Sequence, residues 1–116
     1  MNIPQLTIER SERDGIHLVV LSGELDLRGV GDLETALALP GDRARICLDL
    51  TELAFIDSTG LATVIRGHQA LAGSDGAMAV ACRSEGSVRR TFETTGLTRL
   101  LTVVEDRASA LQALGG

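Results

Sequence analysis

The stretch ARICLDLTELAFIDSTGLATVIRGHQALAG, residues 44–73, changes its periodicity partway along, and that change decides the fold. Its opening, ARICLDL (44–50), is almost continuously apolar, as expected of a strand covered on both faces. ELAFID (52–57) reads as a connection with two inward-looking residues, Phe55 and Ile56. Then Leu61, Val64, Ile65, His68, Leu71 and Ala72 recur at intervals of three and four, the spacing of an amphipathic helix, and Gly73 closes it. Asp57-Ser58-Thr59-Gly60 stands at the handover. An acid, two hydroxyls and a glycine there suit a helix cap, a phosphate site, an acyl nucleophile or a protease carboxylate.

The same alternation extends in both directions. QLTIER (5–10) and GIHLVVLSG (15–23) read as two strands of a hairpin, with Asp14-Gly15 as the turn. Val30, Leu33 and Leu37 mark one face of a helix that Pro40-Gly41 stops. AMAVAC (77–82) is a second buried strand. SEGSVRRTFETTG (84–96) carries Val88 and Phe92 one helical turn apart, with Ser84 as candidate cap and Gly96 as the stop. LLTVVE (100–105) is a short strand, and DRASALQALGG (106–116) is a last helix capped by Asp106.

The expected fold is therefore α/β, one domain over residues 1–116. A mixed, mostly parallel sheet of about five strands carries about four helices, with right-handed crossovers. Functional loops of such sheets gather beyond the carboxyl ends of the strands. Two belong there: GELD (23–26) and the Asp57–Gly60 turn.

Composition narrows the function. With 116 residues and 44% apolar content the chain builds one ordinary core, which is aliphatic because Trp and Tyr are absent and only Phe55 and Phe92 are aromatic. No apolar run approaches the ~18 residues of a membrane span. The N-terminal MNIPQLTIERSERDG lacks the pattern of a signal peptide, so a cytoplasmic protein is expected. A net charge of −5 and few rings to stack on bases argue against nucleic acid. Cys47 and Cys82 sit in apolar strand runs and read as reduced, buried thiols; no metal-ligand spacing links them to His17 or His68. No cofactor is indicated.

At the handover itself, Ser58 as N-cap would accept the backbone N–H of Gly60 or Leu61, and that is a sufficient structural reason for a serine. Gly60 lets something approach the first turn closely, and the charge of Asp57 is mildly favoured by the helix dipole. The catalytic alternatives lack parts. An aspartic-protease loop has one residue fewer between Asp and Gly and continues in strands. A nucleophilic serine needs a base, yet His17 lies within a strand and His68 stands ~15 Å of helix rise from Ser58. The Gly-Lys-Ser of a nucleotide cradle is missing. The third chemical reading, beside the cap, is that Ser58 is modified. A phosphoryl group there adds about −1.5 to −2 charge, which a helix N-terminus tolerates. Beside Asp57, Glu24 and Asp26 it would repel a partner fitted to the bare hydroxyl.

GELD (23–26), LDLTELAFIDSTGLATVI (48–65), VRRTFETTGLTRLL (88–101) and the closing ALQALG resemble the STAS-domain anti-sigma factor antagonists of bacteria over nearly the whole chain. The resemblance implies binding to an anti-sigma factor that is also a serine kinase with a GHKL-type ATP site, so that a sigma factor is released. It implies that the kinase inactivates the antagonist by phosphorylating Ser58, and that a metal-dependent serine phosphatase restores it. Asp57, Thr59 and Gly60, with Glu24 and Asp26 alongside, would form the docking surface. ATP and Mg2+ would belong to the kinase, and this chain would be no enzyme. Thr59 stands where many relatives have a second serine, and LRGVGDLETA (27–36) is glycine-bearing, which bears on partner choice. The same fold occurs in unphosphorylated adaptors of lipid or solute transport complexes, which is the alternative function.

Overall fold

The computed structural model describes residues 5–115. Strands β1 (Leu6–Arg13) and β2 (Ile16–Leu25) form the expected hairpin. Asp14 and Gly15 both take positive φ, 54° and 79°, as a two-residue turn matched to strand twist requires. From there helices and strands alternate: α1 (Val30–Ala38), β3 (Arg45–Ile56), α2 (Ser58–Gly73), β4 (Ala77–Ala81), α3 (Ser87–Thr94), α4 (Leu97–Leu100), β5 (Thr102–Val104) and α5 (Arg107–Ala113). The strands lie side by side in chain order, β1 antiparallel and the rest parallel.

That order dictates the layers. Successive right-handed crossovers between neighbouring strands all fall on one face. Leu33 and Leu37 of α1, Leu61 and Val64 of α2, and Val88 and Phe92 of α3 accordingly share one core with Val19, Leu21, Ile46, Leu48 and Val80 of the sheet. Among the described residues only α5, which follows the last strand, covers the other face. Its Ala110, with Leu114, rests on Ile16, Leu18, Cys47, Ala79 and Ala81. The small side chains of β4 let it lie close.

Four local expectations change. Residues 52–56 are not a connection but the end of β3, which runs on to Ile56. Two bulges, where the pairing steps from Val20↔Asp49 to Ser22↔Glu52 and from Gly23↔Leu53 to Glu24↔Phe55, re-aim its side chains. Ile56 is buried as expected, but Phe55 points outward and is 44% exposed. Next, α3 begins at Ser87, and Gly86 at φ 101° takes the N-cap position assigned to Ser84. The third change is a short helix, α4, just where β5 was expected to begin, which makes five helices rather than four among the described residues. The fourth concerns the start of α2 and belongs to the site below. Residues 1–4 and 116 lie outside the described part of the expected domain.

Cys47 and Cys82 are free and buried, and burial pushes the Cys47 thiol up to about 11 and that of Cys82 in the same direction. A charged group is also buried: Asp49, 1% exposed, in the middle of β3. Its Oδ2 accepts from Arg107 Nε of α5 at 2.8 Å, and its Oδ1 accepts from the amide and hydroxyl of Thr51 at 2.9 and 2.7 Å. Among the described residues no helix is long and apolar enough to cross a membrane.

Candidate functional site

Parallel pairing of β2 with β3 carries Leu25 opposite Ile56. The ladder continues one step further, since the Asp57 amide donates to Leu25 O at 3.2 Å. The two loops that follow these strands therefore emerge together, and Glu24, Asp26, Asp57, Ser58 and Thr59 share one edge of the molecule.

The cap of α2 is Asp57, not Ser58. Asp57 has extended backbone, and its Oδ1 accepts from Gly60 N at 2.9 Å and from the Thr59 hydroxyl at 2.6 Å. The extended backbone at Asp57 fixes the helix start there, and its carboxylate, being charged, makes a strong cap at the positive end of the helix. Those bonds, the Thr59 hydroxyl first, hold the Asp57 carboxyl below its ordinary range, against the upward effects of desolvation and of the like charge on Asp26. Ser58 moves into the first helical position and is exposed. Among the described residues its hydroxyl has no hydrogen-bond partner. Thr59 is different: its hydroxyl is committed to Asp57, and its carbonyl accepts from the buried Thr63.

Gly60 is buried. A Cβ there would stand 2.8 Å from Leu25 Cγ and 2.9 Å from Ile56 Cγ1. The close approach that glycine permits is thus made by the molecule's own strand ends, which seat the first turn of α2 on the sheet. Leu25 and Leu61 complete the buried floor. The hydroxyl of Ser58 rides on a turn fixed from below by packing and from the side by a cap.

Asp26 is not a free acid. Arg28 donates to it from the backbone (3.0 Å to Oδ1) and from the guanidinium (2.7 Å to Oδ2), and also donates to Gln5 Oε1 at 2.8 Å. The guanidinium bond, more than the backbone one, keeps the Asp26 carboxyl below its usual range, and Asp26 in turn raises Arg28. Among the described residues the edge thus carries Glu24, Asp26 and Asp57 against Arg28, three acids and one base. Sequence reasoning counted the acids and missed Arg28, although an Arg two residues after an Asp in a loop is a recognisable local pair. It also missed the apolar component: Leu27 is 71% exposed, and Phe55 pairs with Glu24 across the sheet. Among the described residues no group of three or more His, Cys, Asp or Glu is arranged to hold a metal.

The edge thus presents two exposed apolar side chains, a negative rim and one unengaged hydroxyl. A family model described as "Mlab, STAS domain" matches residues 9–104. The anti-sigma F factor antagonist of Paenibacillus polymyxa is 30% identical over 113 residues, covering 94% of this chain and 95% of that protein. A solved anti-sigma factor antagonist from Mycobacterium paratuberculosis superposes over the full length of both chains with a TM-score of 0.87 at 27% identity. The Bacillus cell fate determinant SpoIIAA, solved in its phosphorylated form, shares the fold at 19% identity, with a TM-score of 0.67 over 92% of this chain and 99% of that one.

Proposed function

The chain belongs to the STAS-domain family of anti-sigma factor antagonists, and from that premise we propose that it binds an anti-sigma factor that is also a serine kinase and releases a sigma factor. Phosphorylation of Ser58 ends the binding. The γ-phosphoryl of ATP bound to the kinase passes to Ser58 Oγ; the P–O bond to ADP breaks, and the serine proton leaves with a base of the kinase. A metal-dependent phosphatase hydrolyses the phosphoserine and resets the cycle. Every catalytic group belongs to those partners, and the cycle runs in the cytoplasm, where sigma factors act.

The observation that carries this reading is the division of labour in the turn. Asp57 caps the helix, Thr59 is tied to Asp57, and Ser58 alone presents an unengaged, exposed hydroxyl. The acceptor reaches out without unwinding α2, and a phosphoryl group added there disturbs no bond of the fold. What changes is the surface. Three acids against Arg28 leave two net negative charges, and a phosphoryl group adds about −1.5 to −2 more. Like charges brought together at an interface cost several kcal/mol, and each 1.4 kcal/mol is about tenfold in affinity. Leu27 and Phe55 supply the apolar contact that the added charge would spoil.

The test is titration of the cognate anti-sigma kinase with wild type, Ser58→Ala and Ser58→Asp. Ser58→Asp loses at least about tenfold in affinity with an unchanged circular dichroism spectrum, while Ser58→Ala binds nearly as wild type. Equal binding by Ser58→Asp contradicts the switch and leaves an unmodified adaptor as the reading of this surface.

A further inference from the structure

The sheet has two edges, and they are unequal. β5 has three residues, whereas β1 has eight, paired without interruption to β2 and with nothing on its outer side among the described residues. Exposed edges are usually guarded by charge, and β1 carries Glu9, Arg10, Glu12 and Arg13, all exposed. Inside the chain these charges are unmatched. Their cross-strand neighbours in β2 are Val20, Val19, His17 and Ile16, and among the described residues none of the four forms an ion pair.

Their order matters more than their number. We infer that the free edge of β1 is a contact surface for a second copy of this chain, joined antiparallel in a register centred on Ser11. A two-fold axis perpendicular to a continuous sheet pairs only residues of like parity, because odd and even positions face opposite sides. That leaves few registers. Those centred on Glu9, Arg10 or Glu12 set like charges directly opposite, and one centred on Ile8 leaves every charge unmatched. Centred on Ser11, Glu9 stands opposite Arg13 and Arg10 opposite Glu12, each pair made twice by symmetry. The first pair lies on the α5 face and the second on the α1 face. Opposite charges directly across an antiparallel ladder stabilise it, and like charges destabilise it.

An apolar contact lies beside this centre. Leu39, at the end of α1, is 58% exposed. It borders two shallow grooves along β1, lined in common by Arg10 and Ala36, one of them reaching Ser11. The axis at Ser11 brings the two copies of Leu39 toward each other over the α1 face. The Ser58 edge stays clear. Leu6 pairs with Gly23 near that edge, whereas Arg13 pairs with Ile16 at the far end, so a dimer presents its two Ser58 surfaces at opposite ends. The contact does not depend on phosphorylation.

Sedimentation of the whole chain across roughly 1–500 μM tests the proposal, and the expected behaviour is a concentration-dependent monomer–dimer equilibrium weakened by salt. Arg10→Glu sets like charges against Glu12 twice and raises the dissociation constant about tenfold or more. The variant Arg10→Glu/Arg13→Glu and the variant Glu9→Arg/Glu12→Arg each remain monomeric alone and pair when mixed. Ser11→Cys keeps every charge and places a thiol on the axis, within the Cα separation a disulfide needs. It forms an interchain disulfide under mild oxidation, and Thr7→Cys does not. A wild-type chain that stays monomeric throughout overturns the inference. So does a dimer indifferent to these charges that fails to cross-link through position 11.

Discussion

Helices α2 and α5 open on the same device and put it to different use. In each an aspartate accepts the amide of the residue three further on, Asp57 from Gly60 at 2.9 Å and Asp106 from Ser109 at 2.7 Å. Hydrogen bonding lowers both carboxyls, chiefly from the Thr59 hydroxyl at Asp57 and from the Ser109 amide at Asp106. The helices part at the next residue. Arg107 turns to the buried Asp49 and pins α5 to the sheet. Ser58 turns outward, and its hydroxyl is bound to nothing among the described residues. Once the aspartate has taken over the cap, the first helical position is free for another task. One helix spends it on anchorage and the other on display.

If that contrast is right, disabling the anchor costs most. Arg107→Met leaves the Asp49 carboxylate buried without its cation. Arg107 is itself half-exposed, so the loss is about 2–3 kcal/mol, below that for a fully buried pair, by urea unfolding. Phosphorylation of Ser58 by a cognate kinase is unaffected. Gly60→Ala comes next, because the new methyl group meets Leu25 and Ile56 within 3 Å. Overpacking of this kind costs about 1–3 kcal/mol, and it shifts the turn, so phosphorylation slows as well.

Asp57→Ala removes the display helix's cap, at about 1 kcal/mol. Its pH dependence has a definite sign. The folded carboxyl titrates below its ordinary value. The charge-dependent part of the cap's stabilisation is therefore present above the ordinary carboxyl value of about 4 and is lost as pH falls through the depressed folded value. Asp57→Asn, an uncharged cap, removes that part of the acid dependence. The smallest effect belongs to Ser58→Ala, within about 0.5 kcal/mol of wild type by the same unfolding measurement. A larger loss would mean that the serine anchors as Arg107 does, and the contrast would fail.

The strand–helix alternation and the meeting of GELD with the Asp57–Gly60 turn are legible from periodicity alone, because both follow from chain order and crossover handedness. Three features are not, each for a physical reason. The outward turn of Phe55 depends on two bulges in β3, and a bulge breaks the period by which faces are read. The cap passed from Ser58 to Asp57 because either residue suits the N-cap, and which one takes it depends on backbone angles at the junction. The Asp49–Arg107 pair joins residues 58 positions apart. Its one local trace is an acid inside the otherwise apolar ICLDL, a residue that cannot be buried there without a partner. Arg28 was within reach, since its partner Asp26 lies two positions away.

The most direct measurement of the central claim is the intact mass of the chain after incubation with a cognate anti-sigma kinase and ATP, on wild type, Ser58→Ala and Thr59→Val. Wild type and Thr59→Val each gain one phosphoryl group, and Ser58→Ala gains none. A gain that persists in Ser58→Ala, or disappears in Thr59→Val alone, would show that the exposed hydroxyl is not the acceptor.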